Sequence, residues 1–307
     1  MPKLTPHYHW VIPEAHAVSA ATIEDAKRRG LSARALRVLS RRGPVDSAEL
    51  ASRFDEPAAG LHAPSLLPDA AVVQERVAVA GRDGESVMVL GDFDADGLTG
   101  LAILTLALRR LGLTVEPYVP DRTGEGHGLS ADAVEHARAA GHRLIVTADT
   151  GSTSTNEVTA ARAAGIDVIV TDHHVLGAEV PDATALVNAQ RPDSDYPDRR
   201  LSGAGVAFKV AQLLLADEPG GPDEALALAD LAAVGSIADV VPIVGENRSI
   251  VRLGLAQLER APRPGLAALM ANARIDRDGV STDDIAFGLA PRINAMGRIG
   301  DPTVAAR

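Results

Sequence analysis

From Glu85 onward the chain alternates between two hydrophobic periods. Short apolar runs rich in β-branched residues predict buried strands over 86–90 (SVMVL), 114–119, 143–147 (RLIVT) and 166–171 (IDVIVT). Between them the pattern is helical at 98–111, 131–140 and 157–164. Strands and helices that alternate through connections of mostly a few residues build a parallel sheet with helices on both faces, so the expected class is α/β. Residues 186–188 read as a further short strand, and beyond them the chain is mainly helical, at 205–216, 224–238 and 248–260. The first 85 residues differ. Gly and Pro break their helical pieces in RRGPVDSAEL, DEPAAG and HAPSLLPDA, and Asp46-Ser47 marks a helix start. This organisation predicts an N-terminal helical cap over 1–85 and a core over 86–307 that is first a mainly parallel sheet, then mainly helical.

Composition narrows the chemistry. The 307 residues contain no cysteine, which excludes thiolate zinc sites, iron–sulfur clusters and cysteine nucleophiles and leaves any metal to oxygen and imidazole donors. No apolar run approaches the roughly 20 residues of a membrane span. The start, MPKLTPHYHWVIPE, has no apolar stretch behind a basic one, so the expectation is a soluble, cytoplasmic protein without membrane partners. Net charge is −11, which as an average disfavours a coat for duplex DNA. Locally, 27–42 carries only basic charges and the chain from Gly245 onward is rich in arginine, so both stretches are candidate phosphate contacts and equally ordinary solvated surface. Aromatic residues make up only 3%, and Tyr8, Trp10, Tyr118 and Tyr196 are scattered, so stacking platforms for a long strand are few.

Sites in open α/β sheets form at the carboxyl ends of strands. The first strand runs into Gly91-Asp92-Phe93-Asp94-Ala95-Asp96-Gly97, three carboxylates at alternate positions whose repulsion calls for a cation. A calcium loop would need Glu at its twelfth residue, where Ile103 stands. The third strand ends in Asp149-Thr150-Gly151 and the fourth in Asp172-His173-His174. Taken singly, Asp149 reads equally as a helix cap and the histidines as surface or core residues; their convergence on one sheet edge favours hard oxygen donors plus one imidazole, a set suited to Mn²⁺ or Mg²⁺. Asp239 lies in the apolar stretch LAAVGSIADVVPIVGE, where a metal would relieve its desolvation and where the alternative is a cap or turn at the Val-Val-Pro break. Gly203-Ala204-Gly205 is a weak phosphate-cradle signal, and Asn294 with Arg292 and Arg298 offers an oxyanion clamp or an ordinary surface turn.

The segments GDFDADG, ADTG, TDHH, LSGAGVAFKVAQ, DLAAVGSIADVVP with Asn247-Arg248, and PRINAMGRIGDP follow one another in this order. Over about residues 60–307 the chain thereby resembles the DHH phosphoesterase superfamily and, in the fuller set, the RecJ-type exonucleases specific for single-stranded DNA. The resemblance implies 5′-to-3′ hydrolysis to mononucleotides in DNA repair and recombination, at a site of two Mn²⁺ or Mg²⁺ ions. The implied ligands are Asp94, Asp96, Asp149, His173 and Asp239, with Asp149 bridging and Asp92 an outer member. It further implies that His174 lies by the scissile phosphate, that Asn294 and Arg298 face phosphate, and that a helicase and a single-strand-binding protein join single-stranded DNA as partners. Either His174 or water protonates the leaving oxygen. Many superfamily members carry His where Leu90 stands, a departure that weakens a pyrophosphatase reading. RecJ-type proteins continue into DHHA1 and oligonucleotide-binding domains beyond the segment that ends here at Arg307, so the chain is expected to be an N-terminal catalytic core. The alternatives are a nano-RNA or cyclic-dinucleotide phosphodiesterase of the same superfamily, and a non-catalytic RecJ-like binding subunit.

Overall fold

The computed structural model describes residues 11–121 and 124–299 and, of residues 298 and 299, the backbone alone. The chain divides into two compact units, Met1–Gly60 and Leu61–Arg307.

The first unit consists of α1 (Ala20–Arg28), α2 (Ala33–Arg42) and α3 (Ser47–Phe54). Each starts where a short polar side chain takes up an N–H of its first turn: Ser19 accepts from Thr22, Ser32 from Ala35 and Asp46 from Glu49. Ala26, Leu36, Val45 and Leu50 form its small core. The basic run that begins at Lys27 is partly neutralised within the unit. Lys27 pairs with Glu24 at 2.6 Å, Arg28 with Asp25 at 3.0 Å, and Arg29 with both Asp25 and Asp55.

The second unit begins earlier than the boundary expected at residue 85. Its helix α4 (Ala70–Asp83) buries Val73, Val77 and Ala80 against the sheet core, and Arg76 Nε reaches Asp167 Oδ2 at 2.6 Å. Residues 61–85 thus belong with the core. The strands are β1 (Ser86–Gly91), β2 (Thr114–Tyr118), β3 (Leu144–Ala148), β4 (Asp167–Thr171) and β5 (Ala185–Val187). They form one wholly parallel sheet in the order β2-β1-β3-β4-β5. The period of two sends alternate side chains into separate cores. Val87, Val89, Leu144, Val146, Ile169, Ala185 and Val187 face α4, α5 (Ala95–Arg110) and α8 (Gly203–Leu215); Met88, Leu90, Ile145, Val168, Val170 and Leu186 face α6 (Ala131–Ala140) and α7 (Thr155–Ala163). The expected α/β architecture, with helices on both faces, is what the chain adopts.

Beyond α8 the chain is helical: α9 (Gly221–Leu226), α10 (Ala229–Ala238), α11 (Gly245–Arg260) and α12 (Pro264–Ala273), then a π-helical turn at Asp284–Leu289 and α13 (Ala290–Ile299). The single helix expected over 224–238 is therefore two. The apolar period runs on through Ala227 and Leu228, where the backbone breaks, so periodicity alone does not mark the interruption. Helix α10 packs on α5, α8 and α11, tying the helical half to the sheet. Among the described residues no helix is long and apolar enough to cross a membrane.

Candidate metal centre

Strand order and register bring the acids together. Because β1 lies beside β3 and Gly91 pairs with Ala148, the segments after both strands leave the sheet side by side, at the point where the strand order reverses. The ladder runs one residue past each strand: the N–H groups of Asp92, Asp149 and Asp172 donate to Ala148 O, Thr171 O and Val187 O. Three acids are thus held in a row along the carboxyl edge.

Each acid of the first motif has a different role in the local structure. The Asp94 carboxylate caps α5, accepting from the N–H groups of Asp96 and Gly97 at 3.0 Å. Asp96, 2% exposed, accepts from the N–H groups of Gly203 at 2.7 Å and Ala204 at 3.0 Å, so it holds the amino end of α8. The Gly-Ala-Gly segment therefore does not cradle a phosphate through these donors; Asp96 and Ser202 already occupy them. Asp92 turns aside, accepts from Phe93 N–H and lies 3.7 Å from His127 Nδ1.

His173 is the point on which the others converge. Its Nε2 lies 3.1 Å from Asp149 Oδ1, 3.7 Å from Asp239 Oδ2 and 3.9 Å from Asp96 Oδ2. Asp239 ends α10, one residue before Val240, which takes a φ of 60°. Asp149 has a φ of 62°, the left-handed region that non-glycine residues rarely occupy and that clusters at functional sites. It caps no helix. Its side chain lies against Gly203, where a Cβ would come within 2.4 Å of both its Cβ and its Oδ1, so the site requires a glycine there.

Burial and mutual repulsion oppose ionisation of these acids. Burial, followed by the Asp96, Asp94 and Asp172 carboxylates, holds Asp149 well above the ordinary carboxylate range. Burial pushes Asp96 up to about 6 despite the nearby His173 and the Ala204 N–H, and burial likewise raises Asp239 and Asp92. Two buried atoms at the centre, Asp149 Oδ1 and His173 Nε2, have no hydrogen-bond partner, although such atoms are paired almost everywhere in proteins. Asp96, His173 and Asp239 offer donor atoms within 4.8 Å of one another, as do Asp149, His173 and His174. Buried carboxylates, an orphaned imidazole nitrogen and an orphaned oxygen are the donor set of a divalent cation, and these residues fit one.

Asp172 stays outside this set. Its Oδ1 accepts from the backbone N–H groups of His173 and His174 and from His174 Nδ1 at 2.8 Å, and its Oδ2 accepts from Ser152 N–H. Burial works against its charge, but the bonds from His174 and Ser152 outweigh it and keep the carboxyl low. In turn the Asp172 bond, opposed by partial burial, raises His174 to about 9. The His174 side chain is 59% exposed, so it stands at the rim with Nδ1 committed to Asp172.

The clamp read from the sixth motif is only partly described. Asn294 Oδ1 accepts from Ala95 N–H at 2.7 Å, which makes it a brace for the first turn of α5, and the Arg298 side chain lies outside the described residues. Arg292 is engaged by Asn272 and Gly288 O. Three residues were not singled out by sequence. His127 tilts against Phe93 with ring centres 4.8 Å apart, and inspection of the end of β2 as well as the other strand ends would have found it. Asn188 donates to Ser152 Oγ and His174 O, and Gln190 to His173 O, bracing the histidine backbone from the far side of β5. Two amides on an irregular segment leave no sequence signal.

The chain is similar in sequence and fold to known proteins. Residues 86–236 match the sequence model described as the DHH family, N-terminal domain. The chain is 43% identical over 232 residues to the single-stranded-DNA-specific exonuclease RecJ of Bacillus subtilis (strain 168), an alignment covering 75% of this chain and 29% of that protein. It superimposes on a crystal structure of exonuclease RecJ bound to manganese with a TM-score of 0.70 at 38% identity, covering 78% of this chain and 60% of the other. A crystal structure of RecJ in complex with Mn²⁺ from Thermus thermophilus gives 0.69 at 33% identity, covering 94% of this chain and 39% of that one. The chain spans less than half the length of the curated relatives it matches. With the DHH residues Asp172, His173 and His174 at the end of β4 and the family's domain over the whole sheet, residues 86–236 of the chain belong to the DHH family.

Proposed function

We propose that the second unit is the catalytic core of a metal-dependent exonuclease that hydrolyses single-stranded DNA from its 5′ end to 5′-mononucleotides. The observation that carries this reading is the pair of buried atoms without hydrogen-bond partners, Asp149 Oδ1 and His173 Nε2, at the centre of four converging side chains. Asp94, Asp96, Asp149, His173 and Asp239 would hold two Mn²⁺ or Mg²⁺ ions. When bound, such ions polarise a phosphoryl oxygen and make water a competent nucleophile at neutral pH.

The chain's own residues supply the positioning. Asp96 fixes α8 against the sheet, and Gly203 at the start of that helix leaves room for the Asp149 carboxylate, so the ligand frame is set before substrate arrives. Asp172 orients His174 with Nδ1–H toward its own Oδ1, which leaves Nε2 facing outward to give a proton to the leaving oxygen. His173 would hold an ion through Nε2, its backbone held by Asp172 and Gln190. Asn294 braces the loop that carries Asp94 and Asp96, and Arg298, whose side chain lies outside the described residues, is the residue that the resemblance assigns to phosphate. In this reading the chain acts in the cytoplasm, in DNA repair and recombination, with a helicase and a single-strand-binding protein as partners.

The test is digestion by the full chain, in Mn²⁺, of a 5′-labelled single strand, the same strand in a duplex, a linear dinucleotide and a cyclic dinucleotide. Release of labelled mononucleotide from the single strand, abolished by EDTA and slow on the duplex, is expected. Turnover of either dinucleotide with the long strand left intact would assign a short-substrate phosphodiesterase instead, and no hydrolysis of any substrate would leave a binding subunit.

A further inference from the structure

A second group of metal-ligating side chains lies at the other end of the sheet. Glu116 is in the middle of the edge strand β2, His136 on α6, and His142 in the turn between α6 and β3. His136 Nε2 is 2.9 Å from Glu116 Oε1, and His142 Nε2 is 2.8 Å from Glu116 Oε2. The three ligand atoms all lie within 4.8 Å of one another. His142 lies seven residues before Asp149 along β3, roughly 20 Å at the rise of an extended chain, so the two groups are separate.

The donors are of a different kind from those at the carboxyl edge. Two imidazole nitrogens and one carboxylate oxygen suit Zn²⁺, which takes three protein ligands and leaves a fourth position to water. His142 is prepared for that role: its side chain is 3% exposed and its Nδ1 lies 2.8 Å from Ser86 Oγ. Donation from Nδ1–H to that hydroxyl fixes the ring and turns the Nε2 lone pair toward Glu116, as the outer partners of metal-bound histidines do. Glu116 and His136, at 42% and 41% side-chain exposure, leave an entry path. Ligand atoms around a tetrahedral ion with bonds of about 2.0–2.1 Å stand roughly 3.3 Å apart, and the three donor atoms here lie within 4.8 Å of one another.

We infer that Glu116, His136 and His142 form a Zn²⁺ site that clasps the edge strand β2 to α6 and to the start of β3. The edge strand is the element of a sheet most exposed to fraying and to pairing with other chains, and a metal joining three elements restrains it.

The experiment is equilibrium dialysis of the full chain against Zn²⁺ in excess Mg²⁺, with thermal unfolding recorded with and without Zn²⁺. His136→Ala is the main variant, because its side chain is partly exposed and the fold tolerates its loss; Glu116→Gln, which keeps the shape, decides the matter if His136→Ala does not fold. Wild type is expected to retain one more Zn²⁺ per chain than either variant, and its Tm to rise with Zn²⁺ by several degrees while the variants' does not. Asp149→Ala is expected to keep this extra equivalent, which separates it from the catalytic reading. Equal Zn²⁺ content and equal Tm response in wild type and a folded variant would overturn the site and leave a His–Glu–His hydrogen-bond set.

Discussion

At the scale of single residues, the centre depends on side chains that serve the fold and the site together. Asp96 was legible in the sequence as one of three alternating acids, but its bonds to the amino end of α8 were not, because the two partners are 107 residues apart. Asp94 carried a readable signal, an Asp with Gly three residues on at the start of a helical pattern, and the structure makes it the cap of α5. Asp149 was placed by its strand end; its left-handed backbone and its dependence on Gly203 arise only in three dimensions. A methyl group at Gly203 has nowhere to go except into the Asp149 carboxylate. Gly203→Ala is therefore expected to keep the fold while weakening Mn²⁺ binding about 10- to 100-fold, the usual cost of disturbing a group that orients a ligand. A Mn²⁺ titration with hydrolysis read at each concentration checks this, and wild-type affinity in the variant would show that Asp149 does not bind from this position.

At the scale of elements, periodicity located the strands and most of the core helices to within a few residues, because both periods were clean from Glu85 onward. It did not find α12 or α13, whose short segments sit among Gly, Pro and Arg. Asn247, noted as part of a motif, is structural, donating to Arg200 O and Pro242 O. Beside it Glu246 is a buried hub: it takes bonds from the N–H of His62 and the hydroxyl of Tyr196 and pairs with buried Lys209 at 3.0 Å. The start of α11 is secured by Asp198, which accepts from Glu246 N–H and from Arg200. Burial alone would push the Asp198 carboxyl up; the Arg200 side chain and the backbone N–H groups of Arg200 and Glu246 outweigh it and hold it low. Since the folded value lies below the unfolded one of about 3.9, Asp198 contributes its full stability above that pH and loses it as pH falls through the folded value. The Tm difference between wild type and Asp198→Asn is expected to be constant from about pH 5 upward and to shrink below about pH 4. A difference that grows on acidification would contradict the sign.

At the scale of the whole molecule, the class of the fold followed from alternation, whereas the strand order did not, since alternation says nothing of which strand lies at the edge. That order matters, because it is the adjacency of β1 and β3 that sets Asp92 and Asp149 side by side. Charge was the least informative property. Lys27, Arg28 and Arg29 are paired within the first unit, and Arg263 answers the buried Asp230 at 3.0 Å, so part of the apparent phosphate-binding surface is structural. Of the scattered aromatic residues, Tyr196 is buried and Tyr118 is bonded to Glu125, while Tyr8 and Trp10 lie outside the described residues.

The central claim is that the convergence on His173 is a metal site for phosphodiester hydrolysis. The most direct measurement is Mn²⁺ binding by calorimetry, with hydrolysis of one 5′-labelled single strand, in wild type and Asp149→Ala side by side. Loss of an acid that holds the ions is expected to weaken Mn²⁺ binding and slow cleavage by about a thousandfold or more, equivalent to about 4 kcal/mol of transition-state stabilisation. Unchanged Mn²⁺ binding and near-normal turnover in folded Asp149→Ala would contradict the account.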